Sequence, residues 1–434
     1  MHKQWVEASH LVRNDDLSDA WNVDYIGHPL LDPTFIQRPT RVGRFFRMMY
    51  NRILTDDELY GNEVARMLDP VGAENRHGPE DLVPFLTEAD AYVRDLIALL
   101  PDAARVHARP QPLVCACNDF RTLLSLLFSR EDTRVRFEAQ RKLYLAKLLL
   151  DIDQSRHVQD GPAHKRHFEA LLRQGMWEHA KDTNKVEIGF EMDADGETIH
   201  YNLDPRPGQQ RWEFNSIFVC REINRRMIPL DVLYYNCRFK RTVTPISYEI
   251  VDGSHHVIER KRWDTMRGNS NGSIVSKMIR KGINNPAGIS DMLGAIFVVH
   301  DEEALNELIV LLDNVVGNPI GWRNVTDTFT SDANGSALNR HSGRGYRVFK
   351  GDLDVLFPDP DRRPYRYHVE VQIYTLEGFL RTVHGAHDAN HLALKLRQFL
   401  HGIVPAIFPR AVYGDQWVSL GGLQSPSQSD GASA

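Results

Sequence analysis

The segment YHVEVQIYT, residues 367–375, constrains the fold most strongly because apolar and polar side chains alternate along it with the period of a β-strand. Val369, Val371 and Ile373 fall on one side, and Glu370 falls on the other. Such a segment, rich in β-formers, is typical of a half-buried strand. A carboxylate on its polar side requires an explanation and directs attention to the C-terminal third of the chain.

Length and composition predict a folded protein with several domains. The chain has 434 residues, which exceeds one ordinary domain, and 42% apolar and 25% charged residues predict a soluble globular protein. The net charge of −6 excludes a global basic field, so a nucleic acid or polyphosphate would need a local basic patch. The chain shows neither a signal sequence nor an apolar run of membrane-spanning length, which predicts a cytoplasmic protein without membrane contact.

Cysteine usage is sparse. The four cysteines are Cys115, Cys117, Cys220 and Cys237. The C-x-C pair has no second close pair that would complete a tetrahedral zinc site, so free or buried thiols are expected.

The predicted secondary structure changes along the chain. Residues 1–182 are predicted to be helical, with one helix beginning at a capping position, Thr87, and ending at Pro101. Residues 183–265 are short β-rich runs separated by turn signals. Strands and helices interleave over 266–415, which predicts a mixed sheet with helices packed on it. The low-complexity tail, 416–434, is predicted to be disordered.

A basic helix is predicted at SIVSKMIRKG. If it starts at Ser273, Lys277 and Lys281 follow on the same face, one and two turns later, with Arg280 beside them. Cations near a helix N-terminus suit a polyphosphate, although a solvated basic face is the alternative interpretation.

Two carboxylates suggest a metal site. Asp291 stands at the start of the apolar strand LGAIFVV, where it either caps a turn or coordinates a ligand. Together with Glu370 it offers oxygen donors from neighbouring strands, the usual scaffold for Mg²⁺. With the basic helix, the pair describes a site for a nucleoside triphosphate and its metal.

The order of these segments resembles the synthetase domain of RelA/SpoT-type alarmone synthetases over roughly residues 260–410. The matching features are the serine-x3-lysine-methionine helix, the aspartate-led strand, the glycine–tyrosine pair, and EVQI-x-T followed by a long helix. The resemblance implies an α+β fold with a nucleotidyltransferase-like mixed β-sheet and flanking helices, here preceded by a helical N-terminal region. It also implies a Mg²⁺-dependent pyrophosphokinase that transfers the β,γ-pyrophosphate of ATP to the 3′-hydroxyl of a purine nucleotide such as GDP or GTP.

The resemblance also implies roles for individual residues. Asp291 and Glu370 would be the catalytic residues and the Mg²⁺ ligands, and Glu370 would also accept the proton of the attacking hydroxyl. The ATP-binding residues would be Ser273, Lys277, Arg280, Lys281 and Arg267, or in place of Arg267 the cluster Arg260, Lys261 and Arg262. The acceptor-binding residues would be Tyr346, Arg347, Lys350, Gln372 and His384, with Tyr346 stacking on the base.

The chain departs from the family pattern at three places. Ile296 replaces the arginine that follows the strand aspartate, GYRVFK replaces G-Y-Q-S-x-H, and Tyr374 replaces the arginine of EVQIRT. These changes keep two alternatives open. The acceptor could be the 3′ end of an RNA such as tRNA, favoured by local clusters such as CRFKR and DRRPYRY. The protein could instead be a catalytically silent nucleotide-binding regulator whose N-terminal helices contact a protein partner.

Three histidines form a further motif in VHGAHDANH. His384, His387 and His391 fall on one helix face, with Asp388 adjacent. The motif fits a polar helix face bordering the cleft, a phosphate or nucleotide contact, or a zinc site.

Overall fold

The structure is a computed structural model, and it describes residues 4–5, 46, 49–54, 56–68, 77–100, 102–130, 132–193, 198–240, 247–251, 257–262, 271–283, 285–289, 291–317, 321–329, 345–359, 363–383 and 391–414. The chain divides into two compact units. The sheet unit comprises Met1–Val6, Ile152–Ile274 and Asn285–Lys395. The helical unit comprises Glu7–Asp151, Val275–Asn284 and Leu396–Ala434.

The helices are numbered in chain order. They are α1 Asp57–Leu68, α2 Val83–Ala98, α3 Asp102–Ala108, α4 Pro112–Cys115, α5 Phe120–Phe128, α6 Thr133–Gln154, α7 Arg156–Gln159, α8 Gly161–Gly175, α9 Gly272–Lys281, α10 Glu302–Val316, α11 Leu376–Val383, α12 His391–Gly402, α13 Val404–Ile407 and α14 Arg410–Tyr413. Short 3₁₀ turns occur at Pro79–Leu82, Trp177–His179 and Pro286–Gly288. None of the described helices combines the length and apolar character needed to cross a membrane.

Helix α2 shows how the helical unit is built. It begins at Val83, four residues before the predicted start at Thr87, because Pro84 fits the first turn, where its missing N–H loses no hydrogen bond. Its buried residues, among them Leu86 and Val93, recur at helical spacing and form one apolar face.

The helical unit also buries a lysine. Lys142 on α6 places its Nζ 2.6 Å from Asp90 Oδ2, 2.6 Å from the carbonyl oxygen of Cys117 and 3.1 Å from that of Val114. These acceptors satisfy an ammonium group that would otherwise be costly to bury. Lys142 therefore fixes the segment around Val114 and Cys117 to α6.

The strands form two sheets. They are β1 Gln4–Trp5, β2 Ala180–Met192, β3 Ile199–Asn202, β4 Gln210–Ile223, β5 Arg226–Phe239, β6 Ser247–Val251, β7 Val257–Arg262, β8 Leu293–Val299, β9 Arg323–Asp327, β10 Phe349–Phe357 and β11 Tyr365–Thr375. One sheet has the order β1-β6-β7, and the larger has the order β3-β2-β4-β5-β8-β11-β10-β9. In the larger sheet, β8 and β11 are parallel and the other neighbours are antiparallel. The protein is therefore a mixed α/β structure with a mostly antiparallel sheet.

The larger sheet contains strands from both sides of residue 265, where the sequence analysis placed a segment boundary. Strand β5 pairs with β8, with Phe239 opposite Leu293 and Val232 opposite Val299. The strands of residues 180–239 and those of residues 293–375 therefore belong to one continuous sheet.

The two faces of the larger sheet are covered differently. Helices α8 and α10 pack on one face, where the ring of His164 from α8 stacks on Tyr367 with centroids 4.2 Å apart. On the other face, Phe379 of α11 packs against Tyr234 and Tyr374 in a cluster of buried apolar residues. Beyond this cluster, the second face carries polar and charged side chains.

Candidate active site

The polar face of β11 continues onto β10. In the antiparallel register of these strands, Lys350 lies opposite Gln372 and Asp352 lies opposite Glu370. Directly opposed residues of antiparallel strands project from the same side of a sheet. The pairing therefore brings a lysine and two carboxylates together on one surface.

Glu370 is buried and both of its carboxylate oxygens are bound. Its Oε2 lies 2.6 Å from the Nζ of Lys350, and its Oε1 accepts a hydrogen bond of 2.8 Å from the side-chain amide of Gln372. A buried carboxylate needs such compensation, because an unpaired buried charge is strongly destabilising. The alternation of β11 predicted its polar side, and the structure buries Glu370 and Tyr374 on that side while His368 and Gln372 stay partly exposed.

Asp291 lies in the turn just before β8, the strand next to β11. It is buried and forms an ion pair with Lys240, the residue after β5. The backbone N–H of Lys240 also donates to the carbonyl oxygen of Met292, at 2.9 Å. Strands β8 and β11 are parallel neighbours with Gly294 beside Glu370, so the turn that carries Asp291 leads into the strand next to the one that carries Glu370.

The charges of both Glu370 and Asp291 act on the ammonium group of Lys350. Burial lowers the pKa of Lys350, but the charge and hydrogen bond of Glu370 and the charge of Asp291 outweigh this effect, so its pKa is raised. Lys350 therefore stays protonated at neutral pH and neutralises part of the carboxylate charge.

Two tyrosines extend the hydrogen-bond network from Glu370. The Oη of Tyr374 donates to Gln372 Oε1 at 3.0 Å and lies 2.7 Å from the Oη of Tyr346. The two rings meet edge to face, with centroids 6.1 Å apart. Burial raises the pKa of both hydroxyls, so each remains a hydrogen-bond donor at neutral pH. A continuous chain of hydrogen bonds thus links Tyr346 to Glu370.

The backbone before Tyr346 requires a glycine. Gly345 has φ 72°, in the left-handed region where residues with a Cβ are strained. The carbonyl oxygen of Gly345 also accepts from Arg381, at 3.4 Å. This turn fixes the direction in which Tyr346 enters the site, while its neighbour Arg347 is exposed.

Sequence reasoning missed a second group of charged residues next to this network. Asp352 and Asp354 are buried on β10, where Asp352 Oδ2 accepts from Asn324 at 2.7 Å. Asp354 forms an ion pair with Arg323 of β9 and contacts the imidazole of His368 of β11. The available signal was the alternation in GDLDVLF, which places both aspartates on one side of a strand.

The predicted ATP-binding residues fall into three groups. Lys277, Arg280 and Lys281 belong to the helical unit and lie on α9, where the first two are half-buried and Lys281 is exposed. Ser273 is buried in the part of α9 that belongs to the sheet unit. Arg267 lies outside the described residues. The alternative cluster Arg260, Lys261 and Arg262 occupies the end of β7.

The histidine motif lies mostly outside the described residues. His384, His387 and Asp388 fall in the undescribed range 384–390, whereas His391 begins α12. Within the described ranges, no group of three or more His, Cys, Asp or Glu residues is arranged to hold a metal ion.

Comparison with known proteins gives limited similarity. No protein-family model matches the chain, and no curated protein matches it. Several solved structures are similar to part of it, among them the following two. Small alarmone synthetase 1 from Bacillus subtilis, bound to its product pppGpp, is 17% identical over 30% of this chain and 64% of that chain, with a TM-score of 0.21. A GTP pyrophosphokinase family protein from Streptococcus pneumoniae is 17% identical over 32% of this chain and 73% of that chain, with a TM-score of 0.21.

The match to the first of these structures spans less than two thirds of its length. At these TM-scores the similarity establishes no shared activity.

Proposed function

We propose that the protein is a Mg²⁺-dependent pyrophosphokinase, which transfers the β,γ-pyrophosphate of ATP to the 3′-hydroxyl of a guanosine or other purine nucleotide. One observation carries the proposal. Asp291, just before β8, pairs with Lys240, Glu370 on the adjacent strand β11 pairs with Lys350, and the charges of both carboxylates raise the pKa of Lys350. The motif order described above supplies the reaction type.

The donor set fits Mg²⁺ better than a transition metal. Asp291 and Glu370 provide carboxylate oxygens, and Mg²⁺ takes few protein ligands because it keeps waters and binds phosphate oxygens. These two residues would hold the ion. When bound, Mg²⁺ would neutralise phosphate charge and polarise the phosphoryl oxygens.

The proposed reaction is a single displacement at phosphorus. A bond forms between the acceptor 3′-oxygen and the β-phosphorus of ATP, and the bond from this phosphorus to the α,β-bridging oxygen breaks with AMP as the leaving group. Glu370 accepts the proton of the attacking hydroxyl. Such a reaction depends on positioning and charge neutralisation, without a covalent enzyme intermediate.

The remaining predicted residues are assigned to the two substrates. For ATP phosphates we propose Lys277, Arg280, Lys281, Arg267 and Ser273. For the acceptor we propose Tyr346, Arg347, Lys350, Gln372 and His384. The support for Tyr346 is that its hydroxyl is held by Tyr374, which leaves the ring in a fixed orientation for stacking on a purine.

A second candidate function is a catalytically silent nucleotide-binding regulator. The observation in its favour is that each proposed metal ligand is already paired with a lysine, Asp291 with Lys240 and Glu370 with Lys350. An RNA 3′ end is the alternative acceptor within the enzyme proposal, because Tyr374 and Lys350 stand at altered acceptor positions.

One assay separates these candidates. The full chain is incubated with Mg²⁺, γ-labelled ATP and, in separate reactions, GDP, GTP, ADP or deacylated tRNA. Label on a nucleotide supports the proposal, and label on tRNA assigns the RNA acceptor. Transfer to none of them, with ATP binding retained, supports the silent regulator and contradicts the enzyme proposal.

A further inference from the structure

Four charged side chains form a row across neighbouring strands. In the order β5-β8-β11-β10, Lys240 follows β5, Asp291 precedes β8, Glu370 lies on β11 and Lys350 lies on β10. Each lysine thus reaches inward from an outer strand to the carboxylate beside it. The row has the composition Lys–Asp–Glu–Lys.

The two carboxylates in this row are less exposed to solvent than the two lysines. The side chains of Asp291 and Glu370 are 8% and 9% exposed, whereas those of Lys240 and Lys350 are 26% and 37% exposed. A lysine ammonium sits on a flexible four-carbon stem and can move between partners. The carboxylates are therefore fixed, and the lysines have access to solvent.

Lysine and metal ion compete for the same atoms. Glu370 Oε2 is occupied by Lys350, and Glu370 Oε1 is occupied by Gln372. A divalent cation that binds the carboxylate pair repels the ammonium groups held on these oxygens and weakens their ion pairs, so its binding favours their displacement. The displaced ammonium then lies next to the metal and its anionic ligands.

We propose that Lys350 and Lys240 are exchangeable counter-cations of the Asp291–Glu370 pair. They neutralise the pair in the metal-free protein and turn toward the phosphates of the nucleotide when a divalent cation binds. Binding of metal and nucleotide is thereby coupled. The inference rests on the proposed function for the identity of the cation as Mg²⁺, and it goes beyond that function by assigning the lysines two alternating partners.

The proposal predicts a gain of metal affinity when a lysine loses its charge. In Lys350→Gln, Mg²⁺ no longer competes with an ammonium group, and it should bind the nucleotide-free protein about tenfold more tightly, equivalent to about 1.4 kcal/mol. Lys350→Arg keeps the charge and should bind Mg²⁺ as the wild type does. In Lys350→Gln, Mg²⁺ should also no longer strengthen ATP binding to the same degree.

The experiment is a calorimetric titration of each full-length protein with MgCl₂ in the absence of nucleotide. The control is Lys185→Gln, since Lys185 forms an exposed ion pair with Glu213 across β2 and β4, 3.1 Å apart, and should leave Mg²⁺ affinity unchanged. If Lys350→Gln does not fold, Lys240→Gln replaces it, with the same expected gain. Mg²⁺-dependent shifts in the thermal unfolding midpoint give an independent readout.

Equal Mg²⁺ affinity in wild type and Lys350→Gln, or absence of Mg²⁺ binding in both, overturns the inference. The label-transfer assay distinguishes this result from failure of the proposed function. Transfer by the wild type together with equal affinities rejects only the exchange. Tighter Mg²⁺ binding by Lys350→Gln without transfer to any acceptor supports the exchange and rejects the enzyme proposal.

Discussion

The hydroxyl oxygens of Tyr346 and Tyr374 lie 2.7 Å apart, and Tyr374 in turn donates to Gln372. Tyr374 occupies the position where the resemblance to alarmone synthetases implies an arginine. At this position the hydroxyl of Tyr374 anchors the neighbouring aromatic ring. It thereby constrains the orientation of Tyr346.

Tyr374→Phe tests this anchor. Loss of the hydroxyl leaves Gln372 Oε1 without this donor and Tyr346 without this acceptor, which should lower the free energy of unfolding by about 1–2 kcal/mol. The Michaelis constant for the acceptor should rise several-fold, with a smaller change in kcat, because the ring is no longer fixed. Urea unfolding and acceptor titrations measure both effects. Tyr201→Phe, at an exposed position on β3, is the matched control, and equal effects in the two variants would contradict the anchor.

Asp354→Asn tests the charged group that the sequence reasoning missed. Asp354 is 2% exposed, pairs with Arg323 and contacts the imidazole of His368. Removing its charge should cost about 2 kcal/mol of unfolding free energy, a value kept modest because Arg323 is partly exposed to solvent. Glu213→Gln breaks an exposed ion pair and should change the unfolding free energy by less than about 0.5 kcal/mol. A loss for Asp354→Asn as small as that control value would show that the pair contributes nothing to stability.

Lys142→Met tests the buried lysine of the helical unit. Methionine removes the ammonium group that Asp90 and two carbonyl oxygens bind. Asp90 would then lack its ion-pair partner, and unfolding free energy should fall by about 3 kcal/mol. The control is Lys165→Met, whose partner Glu169 lies 3.7 Å away on a more exposed part of α8. Chemical denaturation monitored by circular dichroism measures both, and similar small losses would contradict the structural role of Lys142.

We expect the buried side chain of His164 to make the folded protein less stable in mild acid. Burial lowers its pKa to about 4, and its Nε2 lies 2.7 Å from Tyr365 Oη. In the unfolded chain a histidine titrates near 6.5, so between about pH 6.5 and 4 the unfolded state binds more protons. Stability should therefore decrease as pH falls through this window, by on the order of 3 kcal/mol from this group.

His164→Gln should flatten this pH dependence, since glutamine does not titrate. The measurement is the urea midpoint at several pH values between 4 and 7. Because burial also lowers the pKa values of His157 and His167, part of the acid destabilisation should remain in the variant. An unchanged slope in His164→Gln would contradict the assignment.

The sequence predicted some features well because they are local. The strand that carries Glu370 follows from a two-residue alternation, and the observed strand runs from Tyr365 to Thr375. The start of α2 was wrong because Thr87 resembles a capping residue, whereas Pro84 supports an earlier first turn.

The partners of the two acidic residues could not be predicted, because they depend on strand register. Lys350 reaches Glu370 through the pairing of β10 with β11, and Lys240 reaches Asp291 through the pairing of β5 with β8. No local pattern encodes a contact between residues about 50 positions apart, such as Lys240 and Asp291. The alternation of Asp352 and Asp354 was visible, but without the register it could not be placed beside Glu370.

The most direct test of the account is pyrophosphate transfer by Glu370→Gln compared with wild type. Glutamine keeps the size of the side chain and removes the charge that the proposal assigns to metal binding and proton acceptance. With Mg²⁺, labelled ATP and the acceptor that the wild type uses, the rate should fall by at least about 100-fold. The unfolding free energy should fall only modestly, by about 1–2 kcal/mol, since the partly exposed Lys350 can turn to solvent. Near-normal turnover in Glu370→Gln would contradict the central claim.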